Sequence, residues 1–193
     1  GGTLTIAARD FIEVTGRSLD GLTGSRLSVQ SAATATGNAG NLILETGRLT
    51  LQGGAQIDSS TFGSGQGGNL SVNATGLVEA IGTSLDGNIA SGLFANAAGT
   101  TANAGNGGVL AINTPDLIVR EGAQLGVGTF GTGNGGRMVI SAPRSVLVSG
   151  RGSQATSALF SASSREATGN AGEIQIATGQ LTVEAGGTIS TST

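Results

Sequence analysis

The chain of 193 residues contains no cysteine, histidine, tryptophan, tyrosine or lysine. Without cysteine there are no disulfides. That fits a bacterial surface protein exported unfolded, and it fits many cytoplasmic proteins equally well. Without histidine, cysteine, tyrosine or lysine, the only groups left for acid–base catalysis are carboxylates. Two prolines (Pro115 and Pro143) and five aromatic residues, all Phe, complete the list of scarcities. Apolar residues are 37%, so a core must be built from Leu, Ile, Val and Ala. Nine arginines face twelve acids, for a net charge of −3, and no basic stripe exists to hold a nucleic acid. No apolar run is long enough for a membrane-spanning helix. The opening GGTLTIAARD lacks the basic start and apolar stretch of a signal peptide.

What is abundant is glycine, 36 residues, and it recurs. A Gly precedes each x-[LIM]-x-[ILV] stretch at Gly2, Gly40, Gly68, Gly108, Gly136 and Gly172. The units between them alternate long and short. Aligned on that Gly, the second following residue is Leu4, Leu42, Leu70, Leu110, Met138 or Ile174, and the fourth is Ile6, Leu44, Val72, Ile112, Ile140 or Ile176. Spacing of two places both on one face of a strand. Both prolines fall three residues after the second of these columns, which marks a first corner. A second strand follows, with apolar pairs Leu49/Leu51, Leu117/Val119 and Leu181/Val183 in short units. In long units the pairs come one residue later, at Ile12/Val14, Val78/Ala80 and Val146/Val148, which implies a wider corner. Phe11 and Leu77 compete with them for the inward place. A Gly ends this strand in every unit, and a third, short strand comes next. In long units that strand follows an insertion and begins at Ser25, Ser91 or Ser157.

Three short strands per unit, with apolar columns in register, predict an all-β parallel β-helix (β-solenoid). It has about six coils, starting near residues 2, 40, 68, 108, 136 and 172, long and short alternating. Residues 1–193 read as one such fragment, expected to belong to a longer array.

Gly63, Gly65 and Gly68 fit the nucleotide-binding pattern G-x-G-x-x-G, as do Gly131, Gly133 and Gly136. That fingerprint needs a helix after it, whereas here a strand follows, and no acid is placed to hold a ribose. A better account is a corner motif, G-[NQ]-[AG]-G. Its amides are Asn38, Gln66, Asn106, Asn134 and Asn170, and its last glycines are Gly40, Gly68, Gly108, Gly136 and Gly172. Asn tolerates left-handed geometry, and stacked amides bond from coil to coil. Asp20 and Asp86 lie in matching SLDG stretches and read as turn residues, because calcium needs more carboxylates than these. Glu13 and Glu79 hold matching places two coils apart and read as solvated outward residues. The alternative is a carboxylate pair of a polysaccharide-active enzyme. The insertions carry candidate contact residues Leu19, Leu85, Phe94 and Phe160 beside the two aspartates. They are expected to pack on the third strand first and to bind second. No catalytic, cofactor or metal residue is assigned.

The wording GNAGNLILETGRLTLQGGAQIDSSTFGSGQGGNLSV, with GTSLDGNIASGLF after it, resembles the repeat region of filamentous-haemagglutinin-like exoproteins, most of all those of cyanobacteria. The resemblance covers essentially the whole chain, but RGSQ at 151–154 replaces SLDG in the third long unit. It implies a right-handed β-helix, secretion by the two-partner route through an outer-membrane barrel, and a secreted or cell-surface location. The implied role is adhesive or matrix-forming, with surface glycans, proteins or further copies stacked end to end as partners.

Overall fold

The computed structural model describes residues 1–19, 23–100, 103–164 and 167–192. Asp20 lies outside the described residues. Among those described there is no helix, and the chain forms thirteen strands: β1 (Thr3–Val14), β2 (Arg26–Ser28), β3 (Asn41–Gln52), β4 (Gln56–Asp58), β5 (Asn69–Ile81), β6 (Gly92–Phe94), β7 (Val109–Asn113), β8 (Asp116–Arg120), β9 (Gln124–Gly126), β10 (Arg137–Ser149), β11 (Ala158–Phe160), β12 (Glu173–Glu184) and β13 (Thr188–Ser190). They make two parallel sheets. The first runs β1-β3-β5, then β7 and β8 end to end in one place, each paired with β5 and β10, then β10-β12. The second holds the short strands in the order β2-β4-β6-β9-β11-β13.

Every strand pairs with its counterpart in the next unit. In the first sheet, Leu4, Leu42, Leu70, Leu110, Met138 and Ile174 form one column, and Ile12, Leu49, Val78, Leu117, Val146 and Leu181 another. In the second sheet, Leu27, Ile57, Leu93, Leu125, Leu159 and Ile189 form a third. The middle members of all three columns are sealed from solvent: Leu42, Leu49, Ile57, Leu70, Val78, Leu93, Leu110, Leu117 and Leu125 are fully buried. Leu4, Ile6, Ile174 and Ile189, on edge strands with a neighbour on one side only, are partly buried.

The competition at the second strand resolves as the apolar pairs suggest. Ile12 and Val78 turn inward, Phe11 is 64% exposed and Leu77 is half-buried. The extra residue of the long units sits in a register shift. Two residues of a long unit (Arg9 and Asp10) oppose one of a short unit (Gly47) between the pairs Ala8↔Thr46 and Phe11↔Arg48. This is a β-bulge, and it corrects the expectation of three separate strands per unit. In five units the first two strands run on as one strand of 12 or 13 residues. Only the fourth unit breaks, at Thr114 and Pro115, where proline has no N–H for the ladder. Pro143 sits inside β10 at the bulge, where a missing N–H is tolerated. Short units place Thr46, Thr114 and Thr178 ahead of this point. Each hydroxyl donates to the carbonyl two residues on, at 3.1, 3.1 and 3.0 Å. The long units have Ala there.

The glycine that ends each long strand has positive φ in all six units, from 70° at Gly82 to 92° at Gly122. In short units the residue before it is left-handed too: Gly53 at 74°, Glu121 at 59° and Ala185 at 49°. Two successive positive φ values make a tight I′-like turn. Ala123 N–H closes one on Arg120 C=O at 3.2 Å, and Gly187 closes another on Glu184 at 2.8 Å. Long units instead send out a finger, pinned by antiparallel bridges Arg17↔Gly24, Thr83↔Ala90 and Arg151↔Thr156.

Candidate functional site

The corner amides stack as a ladder with two kinds of rung. A backbone N–H donates to the amide residue's C=O one unit on: Ala39 to Gln66 (2.9 Å), Gly67 to Asn106, Gly107 to Asn134 and Gly135 to Asn170 (each 2.8 Å). In the other direction, the side-chain Oδ1 of Asn38 accepts from Gln66 N–H (2.9 Å), that of Asn106 from Asn134 (2.8 Å) and that of Asn134 from Asn170 (3.0 Å). Among the described residues the step from Gln66 to Asn106 has no such side-chain bond. Left-handed geometry is not the reason for these amides, since Glu121 and Ala185 are the non-glycine residues with positive φ among those described. The glycines of the corner are needed for close approach. A Cβ on Gly108 would lie 1.9 Å from the carbonyl oxygen of Gly68 one unit before, and one on Gly68 would lie 1.7 Å from that of Gly40.

A second device couples long units to short ones. Ser91 and Ser157, both fully buried, stand immediately before the third strand of long units, which begins one residue later than expected. Ser91 Oγ accepts the N–H of Gly54, and Ser157 Oγ accepts that of Gly122, each at 2.9 Å. Those N–H groups belong to the tight turns of the preceding short units. Ser157 Oγ also donates to Ser149 C=O at 2.7 Å. Ala55 and Ala123 hold the equivalent place in short units.

Charged groups sit differently from the sequence expectation. Glu13 is exposed, but Glu79 is buried at 7% exposure and is not a solvated residue. Each of its oxygens is taken by a guanidinium from an adjacent unit: Oε2 by Arg48 at 3.1 Å and Oε1 by Arg120 at 3.2 Å. The pairing crosses units at offset positions, so a search along the column alone misses it. Asp116 accepts from Ser145 Oγ at 2.7 Å and pairs with Arg144. The Ser145 bond, with the Arg144 bond and charge behind it, holds its carboxyl below the ordinary value against the opposing pull of burial. Asp86 closes the tip of its finger, accepting from Ser84 Oγ (2.5 Å), Asn88 N–H (3.2 Å) and Asn88 Nδ2 (2.6 Å). Its pKa is lowered by those bonds, Ser84 first. The third finger keeps its bridge with Arg151-Gly-Ser-Gln in place of the Asp wording, so the turn does not depend on the carboxylate. No group of three or more potential metal ligands occurs among the described residues.

The finger residues Leu19 and Leu85 do not pack on the third strand; they are 110% and 73% exposed. Phe94 and Phe160 do lie on it. They share an open groove of about 370 Å³ on the outer face of the second sheet with Phe62 and Phe130, which the sequence reading passed over. Asn88, Ile89 and Ala90 of the middle finger form one wall of it. Four of the five aromatic residues in the chain therefore meet in one place. Their signal was the repeated Thr-Phe at Thr61–Phe62 and Thr129–Phe130, where the threonines bridge through Ala97.

Comparison with protein-family models, with curated proteins and with solved structures finds no match for this chain.

Proposed function

We propose that this chain is a right-handed parallel β-helix serving as a non-enzymatic structural and adhesive rod of a secreted or cell-surface protein, of the filamentous-haemagglutinin-like kind. The observation that carries the reading is the pairing of six successive units, column on column, across two parallel sheets with one bulge where long meets short. Right-handedness follows from the strong preference of parallel crossover connections for that hand. Six stacked coils give a rod roughly 29 Å long at the spacing of neighbouring strands. Stiffness comes from coil-to-coil packing, reach from repetition, and contact from the outer faces and fingers.

The edge strands β1 and β12 support end-to-end assembly. On β12, the inward-type residues Leu181 and Val183 are 49% and 44% exposed, an apolar strand edge that a further coil would cover. Small-angle scattering and electron microscopy over a concentration series test the reading. A rod-shaped particle that lengthens into filaments is expected. A compact sphere would overturn the rod, and monodisperse monomer at every concentration would overturn the stacking.

A further inference from the structure

We propose that the aromatic groove on the second sheet is a binding site for a neutral, extended oligosaccharide. The proposal rests on the adhesive reading of this face and names its ligand class.

The four rings are arranged regularly. Phe94 and Phe160 occupy one outward column, separated by Gly126. Phe62 and Phe130 follow the bridged residues Thr61 and Thr129, and Ala98 follows Ala97 between them. Four consecutive units thus present one Phe each, alternately from two columns, with the smallest residues in the gaps. Gly126 is what lets Phe160 lie down: a Cβ there would meet its Cζ at 2.3 Å, so the ring rests across the neighbouring strand. Phe94, 7% exposed, is floor, while Phe130 is 43% exposed. Within either column the rings repeat every second unit, about 9.6 Å at the strand spacing. Two pyranose rings of an extended β-1,4-linked chain cover a comparable span.

Polar groups converge on the same groove with bonding capacity unspent. Asp58 is 6% exposed and uses Oδ1 for Ser60 N–H at 2.7 Å. Asn96 is 8% exposed and uses Oδ1 for Gly128 N–H at 2.9 Å. Gln124 donates its Nε2 to Thr156 C=O at 3.3 Å. Asp58 Oδ2, Asn96 Nδ2 and Gln124 Oε1 have no partner among the described residues, yet no buried side-chain polar atom there is unsatisfied. These three atoms are therefore open to solvent, on side chains each fixed by one hydrogen bond. Apolar plates with a few fixed donors and acceptors are the furnishing of a small-molecule site. Sugar rings match it: C–H faces lie on aromatic rings, and hydroxyls reach amides and a carboxylate.

Other occupants fit less well. A peptide that binds by strand addition needs a free strand edge, and β4, β6, β9 and β11 are paired on both sides. Nucleic acid needs a basic track, and among the groove's lining residues the one cation is Arg26, which donates to Gln56 Oε1.

The test uses the whole chain with cellohexaose, chitohexaose and a heparin-derived hexasaccharide, read by saturation-transfer NMR and calorimetry. At least one neutral hexaose should bind the wild type. Phe130→Ala should weaken it at least tenfold with an unchanged melting curve, and Phe130→Tyr should keep it. Phe11→Ala, altering an exposed ring outside the groove, should change nothing. If Phe130→Ala melts early, Ala98→Glu provides the second probe and should abolish binding by placing a carboxylate between two rings. The proposal fails if neither neutral hexaose binds at millimolar concentration, if Phe130→Ala binds as well as wild type, or if only the heparin fragment binds. The rod reading is judged by scattering and images, so it would survive that failure.

Discussion

Replacing Ser157 with Ala tests whether alternation of long and short units is a hydrogen-bonding device or a packing accident. The side chain is fully buried and differs from Ala by one oxygen. If serine were there only as a small filler, Ala would be nearly neutral, since Ala55 and Ala123 fill the equivalent buried place in the short units. The geometry says otherwise. Losing Ser157 Oγ removes its bond to Ser149 C=O, worth about 1 kcal/mol net. It also orphans the buried N–H of Gly122, which costs about 1–3 kcal/mol more. The sum is about 2–4 kcal/mol, or roughly 4–16 °C in melting temperature for a chain of this length. Ser91→Ala loses the acceptor for Gly54 N–H and should cost about 1–3 kcal/mol. Urea unfolding followed by far-ultraviolet circular dichroism gives the magnitude. Hydrogen exchange at Gly122 gives the location, and its protection should fall more than that of Gly54 in Ser157→Ala. A change below about 0.5 kcal/mol, the range of substitutions that touch nothing important, would refute the reasoning.

Three further outcomes follow from the same contacts. Gln66→Asn should stabilise by about 0.5–1 kcal/mol by restoring the missing rung to Asn106, and Gln66→Leu should destabilise; thermal melts of the two variants decide. Gly108→Ala should cost about 3 kcal/mol or more, because its Cβ would drive two units apart. Gly82→Ala, at φ 70° with nothing within 4 Å of the new methyl, should cost only about 1 kcal/mol of backbone strain; chemical denaturation separates the two. The depressed pKa of Asp116 means its stabilising contribution is complete above the unfolded value, near 3.8, and is lost as pH falls through the lower folded value. A pH series of melting temperatures should therefore drop less steeply below pH 4 for Asp116→Asn than for wild type.

The parallel strands were legible because the columns repeat. Leu or its equivalent stands two and four places after each Gly, and the structure pairs those residues with one another. The one-residue offset between long and short units was legible for the same reason. What alternation of apolar residues cannot show is whether a corner interrupts hydrogen bonding, so the bulge was read as a strand break. Nor can it show contacts that step sideways between columns. Glu79 meets Arg48 and Arg120 only when neighbouring units are laid side by side, because the three residues stand at different places within their units. The aromatic groove escaped for a related reason. Phe62 and Phe94 come from different positions within their units, so no single column of the repeat shows that both line one groove.

The two sets of glycines answer to different physics, and this separates what is local from what is collective. Gly82 needs its φ of 70° whether or not a neighbouring unit is present; the demand comes from the turn itself. Gly108 has no unusual backbone angle, and its demand exists only because the carbonyl of Gly68 lies against it. A turn glycine can therefore be explained within one unit, whereas a corner glycine presupposes the stack. The amide ladder and the serines at 91 and 157 belong to the second kind, since each bonds to a different unit from its own. A chain built so largely on such contacts gains little from folding one unit alone. Stability should accumulate with each interface formed, and the outermost units should open first. The partly buried inward residues of β1 and β12, each with a neighbour on one side only, are where that opening begins.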